Sequence, residues 1–328
     1  MESNFGRRLT IGVEEELMLL DANTLALAPG VERLLGPEGW KPELFSCLVE
    51  TNTSVCETVE EVRGELVRLR RGVREAAARA GLVVAAAGSH PFSDPENQPI
   101  VQEKRYLKMV EELGPAARRQ LVCGLHVHVG MESFDECLRT LAAVAPWLPA
   151  VLALSLNSPY IAGTETGVLS ARAARLLELP RGGPPPPLAS PEEWAAAVDA
   201  SGVDYTRIWW DARPHPRLGT IEVRVADQPT SVERSAALAA LVQSLCAAAP
   251  ATSRFEPDAY FARREAAARG NAATGELLAV VEPAARELGT WKLVETLQEP
   301  VEALRQLDTG RREGLDAVAA ELVERTAA

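Results

Sequence analysis

Residues 10–20 read TIGVEEELMLL, a period-two pattern that marks a β-strand rather than a helix. Strand alternation puts Ile11, Val13, Leu17 and Leu19, with Glu15, on one face as a core-packing set. Glu14 and Glu16 share the other face with Met18 and Leu20. Two carboxylates so close repel each other unless cations or solvent compensate them. A solvated strand face meets that condition as well as a metal does, so this segment alone leaves both readings open.

Three more segments repeat the pattern. In LHVHV (125–129), His126 and His128 share one face, and Leu125, Val127 and Val129 the other. In FSCLVETNT (45–53), within an expected strand over 44–55, Ser46, Leu48, Glu50 and Asn52 fall together. In GTIEVRVAD (219–227), Thr220, Glu222 and Arg224 oppose Ile221, Val223 and Val225. Each has an ordinary explanation, a satisfied core histidine or a cross-strand salt bridge. Read together, they describe a sheet whose polar face carries Glu14, Glu16, Glu50, His126 and Glu222. A ligand set rich in carboxylate oxygen and free of sulfur suits Mg²⁺ or Mn²⁺ better than Zn²⁺.

Around these strands the spacing of Val62, Leu66, Leu69 and Val73 predicts a helix over 59–80, closed by Gly81. A strand is expected over 82–88, a loop after it, and a helix over 105–119. A long apolar helix over 134–156 should break at Pro146 or Pro149. RGGPPPP (181–187) predicts an extended surface loop. Strands over 208–213 and 220–226 follow, and the chain is helical from Val232 onward. Without a regular βαβ rhythm the class is α+β with a largely antiparallel sheet. The net charge of −12 over 328 residues argues against a general binder of nucleic acid or anionic membranes. ATP stays admissible, because divalent metals reverse the local field. Five scattered cysteines and the lack of a signal peptide or long apolar span point to a cytoplasmic protein with buried, inert thiols.

In chain order, GVEEE (12–16), ELFSCLVETNT (43–53), AAAGSHPF (85–92), CGLHVHVG (123–130), LSLNSPY (154–160) and WWDARPHPRLGTIEVRVAD (209–227) resemble the bacterial carboxylate–amine ligases. These are also called glutamate–cysteine ligase type 2, or YbdK-like proteins. The resemblance runs over about 9–245, followed by a C-terminal helical part (246–328), and implies one catalytic domain over 1–328. It implies a glutamine-synthetase-like fold, a curved antiparallel sheet covered by helices, with ATP over the sheet and Mg²⁺ bridging phosphates to acids.

The implied metal ligands are Glu14, Glu16, Glu50, His126 and Glu222, with His128 at the margin. Glu43 matches an acid of distant glutamate–cysteine ligases, but its parity is opposite to that of Glu50, so it requires a bulge or a strand end. The catalytic pair is Glu222 and Arg224, the guanidinium steadying the transferred phosphoryl group. Arg105 and Arg172 would grip a substrate carboxylate, and Asn52 and Asn157 would supply hydrogen bonds. The implied reaction activates a carboxylate, the γ-carboxyl of glutamate in the family, as an acyl phosphate that an amine converts to an amide. Cysteine is the family's usual amine, the partners are small molecules, and a homodimer is expected. A phosphotransferase of the same fold and a non-catalytic amino-acid or nucleotide sensor are the rivals; a metal hydrolase is weaker for want of an HExxH motif. FARREAAARGNAATG (261–275) departs from the family, keeping Arg269 and Gly270 but lacking its tryptophan.

Overall fold

The computed structural model describes residues 4–34, 39–249 and 256–327. Its main sheet has seven strands: β1 (Ile11–Asp21), β2 (Trp40–Pro42), β3 (Leu48–Asn52), β4 (Leu82–Ala85), β5 (Leu125–Gly130), β6 (Ala212–His215) and β7 (Thr220–Val223). The order is β6-β7-β5-β1-β3-β2, and every pairing is antiparallel. β1 is the axis. One edge pairs with β3; the other pairs first with β5, through Ile11–Glu15, and then with β4, through Met18–Asp21. In the gap between them the Glu16 N–H donates to Gln228 Oε1 at 3.2 Å.

Of the expected strand over 44–55 only Leu48–Asn52 is strand, and a further strand, Trp40–Pro42, precedes it. β2 and β3 form an antiparallel pair with Lys41 opposite Glu50, and residues 43–47 turn between them. Alternation cannot register such a reversal, because β2 has only three residues. The strand expected over 208–213 splits, into a short Trp209–Trp210 pairing with Gly182–Gly183 and the later β6. RGGPPPP therefore starts in a two-residue parallel pairing instead of a free surface loop, with Gly183 and Pro185 buried.

The apolar face of the sheet rests on helices α1 (Val59–Arg79), α2 (Phe134–Val144) and α4 (Val232–Ala248). Between α2 and α3 (Leu148–Ser155) a 3₁₀ turn over Ala145–Trp147 supplies the break expected near the prolines. The stretch Phe134–Ser155 is long and apolar enough to cross a membrane by composition, but its most apolar part is largely buried within the protein. The C-terminal segments join the same core, with Leu277, Val281, Val294 and Ala303 packed in one cluster with Ile11 and Val13 of β1. The five cysteines are buried free thiols.

The apolar face of β1 holds one charge. Glu15 is fully buried among the aliphatics of β1, held bidentately by Arg70 of α1 at 2.8 and 2.6 Å. Ser235 Oγ at 2.6 Å and Gln228 Nε2 at 2.8 Å also donate to it. Burial pushes its carboxyl up, and Arg70 more than offsets this, holding it below the ordinary value. Removing one member of such a pair strands a buried charge. Arg70→Met should therefore cost about 3–5 kcal/mol of unfolding free energy in urea. A loss under 1 kcal/mol would show that the pair does not anchor β1.

Candidate active site

Register alone builds the site. Directly opposed residues of an antiparallel pair share a face. Lys41 faces Glu50, and Glu50 faces Glu16; Asn52 faces Glu14, and Glu14 faces His126; His128 faces Glu222, and Glu222 faces Arg213. Six strands thus contribute to one polar face, the one turned away from α1 and α4. A cleft of about 390 Å³ lies over it, walled also by Glu43, Arg105, Arg207, His215 and Arg224. Glu14 and His128 border a second lobe of about 680 Å³, enclosed by the segment Asn4–Arg7, the turn Arg217–Gly219 and Asn52–Val55.

At the centre, Glu14 Oε2 is 3.1 Å from His126 Nδ1, and Glu14 Oε1 is 3.6 Å from His128 Nε2. Burial raises the Glu14 pKa, but its contacts with His126 and His128 outweigh that and hold it well below the ordinary carboxylate value. Burial and the nearby Arg224 push His126 down to about 4, leaving it neutral. For His128, Glu14 and Glu222 overcome the burial penalty and raise it. Its Nδ1 pairs with Thr220 Oγ1 at 3.0 Å, while its buried Nε2 has no hydrogen-bond partner. One ligand atom each from Glu14, His126 and Glu222 lies within 4.8 Å of the others, the spacing of a metal-binding group.

Glu222 is the most restrained acid. Arg213 clamps it through Nε at 2.7 Å and Nη2 at 3.2 Å, and Arg224 Nη1 also bonds its Oε1. Arg213 is fixed in turn by the carbonyls of Thr206 and Ile208 at 2.8 and 2.7 Å. A second acidic group, Glu16, Glu50 and Glu43, lies toward β2 with Lys41 bonded to Glu50 at 2.8 Å. Burial and then mutual repulsion raise these acids, Glu43 to about 8. Burial lifts Glu16 to about 7 against the pull of Arg172. Lys41 bears on Glu50 and Glu43, and Arg172 and Arg224 on Glu16, yet all three acids stay raised.

A family model described as glutamate-cysteine ligase family 2 matches residues 10–323. The chain belongs to that family. It is 43% identical over 272 residues to a protein of Rubrobacter xylanophilus provisionally named glutamate–cysteine ligase 2-3, covering 79% of this chain and 74% of that one. It is 40% identical over 247 residues to a Herpetosiphon aurantiacus protein with the corresponding provisional name, covering 72% and 64%. The chain thus spans about two thirds to three quarters of the length of these relatives. Among solved structures, a glutamate–cysteine ligase of Francisella tularensis in complex with AMP superposes with a TM-score of 0.70 at 14% identity, covering 98% of this chain and 89% of that one. A bifunctional glutathione synthetase from Pasteurella multocida gives 0.72 at 13% identity, covering 98% and 53%. At such identities these matches establish a common fold: an antiparallel sheet covered by helices.

Within this glutamate–cysteine ligase 2 framework, the expected residues separate. Glu14, Glu16, Glu50, His126, Glu222 and Arg224 gather on the cleft face, and His128 joins them from the margin. Glu43 sits just past the end of β2, which supplies the strand end its parity required. Asn52 bonds Glu50 Oε1 at 2.7 Å. Arg105 stands at the rim, paired with Glu103 and stacked on Tyr106. Two of the expected substrate-binding residues, Asn157 and Arg172, are buried. Asn157 is fully buried, and its side chain is saturated by Gln228 O, Thr230 Oγ1 and Gln306 Nε2, so it serves the core rather than a substrate. Arg172 does not reach into the open cleft; it lies buried behind Glu16, donating to the carbonyls of Val225 and Arg224.

Lys41 and Arg213 are the residues that sequence reasoning missed. Only the pairings of β2 with β3 and β6 with β7 give them their acids; for Arg213, the alternation His215-Arg213 facing Thr220-Glu222 across the turn was the available signal. The divergent helix α5 (Pro257–Ala268) contributes through Arg264, not the retained Arg269. Arg264 binds Asp211 bidentately at 2.7 and 3.0 Å, Tyr260 bonds the same carboxylate at 2.7 Å, and the Asp211 carbonyl accepts the Arg224 N–H. Arg269 pairs only with Glu265 on the surface.

Acids held protonated to about 7 and 8 must lose protons to take a cation, so cation affinity rises with pH. Calorimetric titration with Mg²⁺ should show tighter binding at pH 9 than at pH 6, with proton release at pH 7. Affinity that is flat with pH would contradict this picture of the acid cluster.

Proposed function

We propose that this chain is an ATP-dependent carboxylate–amine ligase that forms an amide through an acyl phosphate. The observation that carries the reading is the strand register, which sets six ionisable metal-capable side chains, Glu14, Glu16, Glu50, His126, His128 and Glu222, on one cleft face beside Arg213 and Arg224. Family membership supports ATP as co-substrate, a glutamate-like carboxylate and cysteine or another amine as acceptor. The span of the family match, residues 10–323, also supports treating 1–328 as one catalytic unit.

Mg²⁺ or Mn²⁺ fits the residues present: the donors are mostly oxygen, and the buried His128 Nε2 has no hydrogen-bond partner among the described residues. Glu14, His126 and Glu222 would hold one ion, and Glu16, Glu50 and Glu43 another. When bound, such ions neutralise phosphate charge and polarise the transferred group. The chain's own groups supply the rest. Arg224 and the rim Arg105 offer donors to phosphate and carboxylate oxygens, and Arg213 keeps Glu222 aimed. The substrate carboxylate oxygen attacks the γ-phosphorus, and the bond to ADP breaks with its electron pair leaving on ADP. The amine nitrogen then attacks the carbonyl carbon, the bond to phosphate breaks, and the nitrogen gives its proton to a base.

Protein incubated with Mg²⁺, ATP, glutamate and an amine panel should release ADP and phosphate with one amide per ADP. ADP with a stable phosphorylated product and no amide would indicate a phosphotransferase instead. Glu222→Ala and His126→Ala should each lower turnover by roughly a hundredfold or more while keeping the wild-type circular dichroism spectrum. Wild-type rates in either variant would remove these residues from the site.

A further inference from the structure

Beside the first turn of α4, the helix under the apolar face of the sheet, a surface pocket of about 540 Å³ opens toward two C-terminal helices, α6 (Glu302–Glu313) and α7 (Leu315–Ala327). It shares no lining residue with the cleft or its second lobe. Three arginines reach it from three helices: Arg234 of α4, Arg305 of α6 and Arg325 of α7. A guanidinium carries five N–H donors. Among the described residues, these three side chains make one hydrogen bond in all. Arg234 Nη2 donates to the Leu154 carbonyl at 2.9 Å, and its buried Nε has no partner. Arg305 stands 3.7 Å from Glu321, and Arg325 stands 3.7 Å from Glu302 and 4.0 Å from Glu321, all beyond hydrogen-bond length.

The acids lining the pocket do not use these donors. Glu302, 5% exposed, accepts from the Thr230 and Ser231 N–H groups at 2.9 and 3.3 Å. Glu233 is taken by Arg63 at 2.6 Å, and Asp308 by Arg312 at 2.9 Å. Three guanidiniums are left facing Glu302 and Glu299. Burial pulls the Arg234 pKa down despite both acids, as for a cation short of negative charge. The chain has 46 acidic against 34 basic residues, and other surface arginines, Arg207 and Arg311 among them, hold carboxylates at 2.6 Å. Open donors on three helices of so acidic a protein suit an anion from outside. Their arrangement selects its shape. A carboxylate offers two oxygens in one plane, which a single guanidinium fork satisfies. A phosphate group offers three oxygens on a tetrahedron and can meet donors arriving from three directions. The volume leaves room for a small organic group behind it.

We propose that this pocket binds a phosphate group, free or carried on a small organic molecule, through Arg234, Arg305 and Arg325, at a site separate from the catalytic cleft. Its wall is tied to β1 by one short segment. Glu302 holds the N–H groups of Thr230 and Ser231, the Thr230 carbonyl accepts from Arg70, and Gln228 bonds both Glu15 and the Glu16 N–H. A ligand that binds only the folded chain raises its unfolding temperature.

Calorimetric titration of the full chain in EDTA, at constant ionic strength, with orthophosphate, glycerol 3-phosphate and malonate reads the site directly. One saturable site is expected, tighter for at least one of the phosphates than for malonate by about tenfold or more. The tighter phosphate identifies the source as the free ion or an ester. Arg305→Gln and Arg325→Gln should each weaken phosphate binding by roughly tenfold or more, as loss of charge-assisted hydrogen bonds requires. Arg305→Lys, which keeps the charge and loses the fork, should weaken it less. The Arg305 side chain is 61% exposed, so its variants should keep the wild-type unfolding temperature without ligand. Arg224→Gln, in the cleft, should leave the binding unchanged. Binding lost in Arg224→Gln and intact in both pocket glutamine variants would put the phosphate in the cleft and overturn the site. So would malonate binding as tightly as both phosphates, or neither saturable heat nor a rise in unfolding temperature with either phosphate.

Discussion

The buried pair between Glu15 and Arg70 decides which way β1 faces. Side chains in a strand alternate, so a slip of one residue would turn Glu14 and Glu16 into the core and expose the aliphatics. Hydrophobic alternation alone opposes that slip through Ile11, Val13, Leu17 and Leu19. The bidentate contact with Arg70, together with Ser235 and Gln228, adds a directional constraint that only one register satisfies. Because β1 pairs with β3, β4 and β5, its orientation sets the placement of the whole polar face. Gln228 links the two sides, bonding Glu15 through its nitrogen and the Glu16 N–H through its oxygen.

The polar face carries two electrostatic regimes. Glu14 and Glu222 are surrounded by histidine and arginine and stay ionised despite burial. Glu16, Glu43 and Glu50 are raised by burial and by neighbouring acids, with Lys41 acting on Glu43 and Glu50 and Arg172 on Glu16. Environments that push neighbouring acids in opposite directions are a common feature of sites that both hold charge and move protons. The arginines are not interchangeable here. Arg213 spends its donors on Glu222 and backbone carbonyls, whereas Arg224 stands at the boundary of the cleft. The Asp211–Arg264 pair couples that boundary to α5.

Much of the site was legible in local alternation. Glu14, Glu16, Glu50, His126 and Glu222 lie where period-two reading places them. Lys41 was invisible because the three residues of β2 are too few to show alternation, and only its pairing with β3 sets it opposite Glu50. His128 looked marginal because nothing local ranks two histidines on one strand face; its contact with Glu14 joins residues far apart in the chain. Asn157 shows the opposite difficulty: a polar residue in a motif segment looks functional until its partners, Gln306, Thr230 and the Gln228 carbonyl, are seen.

The sequence by itself determined which side chains share a face, since that depends only on strand geometry over a few residues, and its ordered motifs placed the chain in its family. Tertiary structure decided which charges stand opposite one another and which are already compensated. Glu14 meets His126 across 112 residues of chain, and Glu15 meets Ser235 across 220. Such pairings are set by packing of the whole core, so burial, unpaired atoms and the pocket beside α4 exist only once the chain has folded.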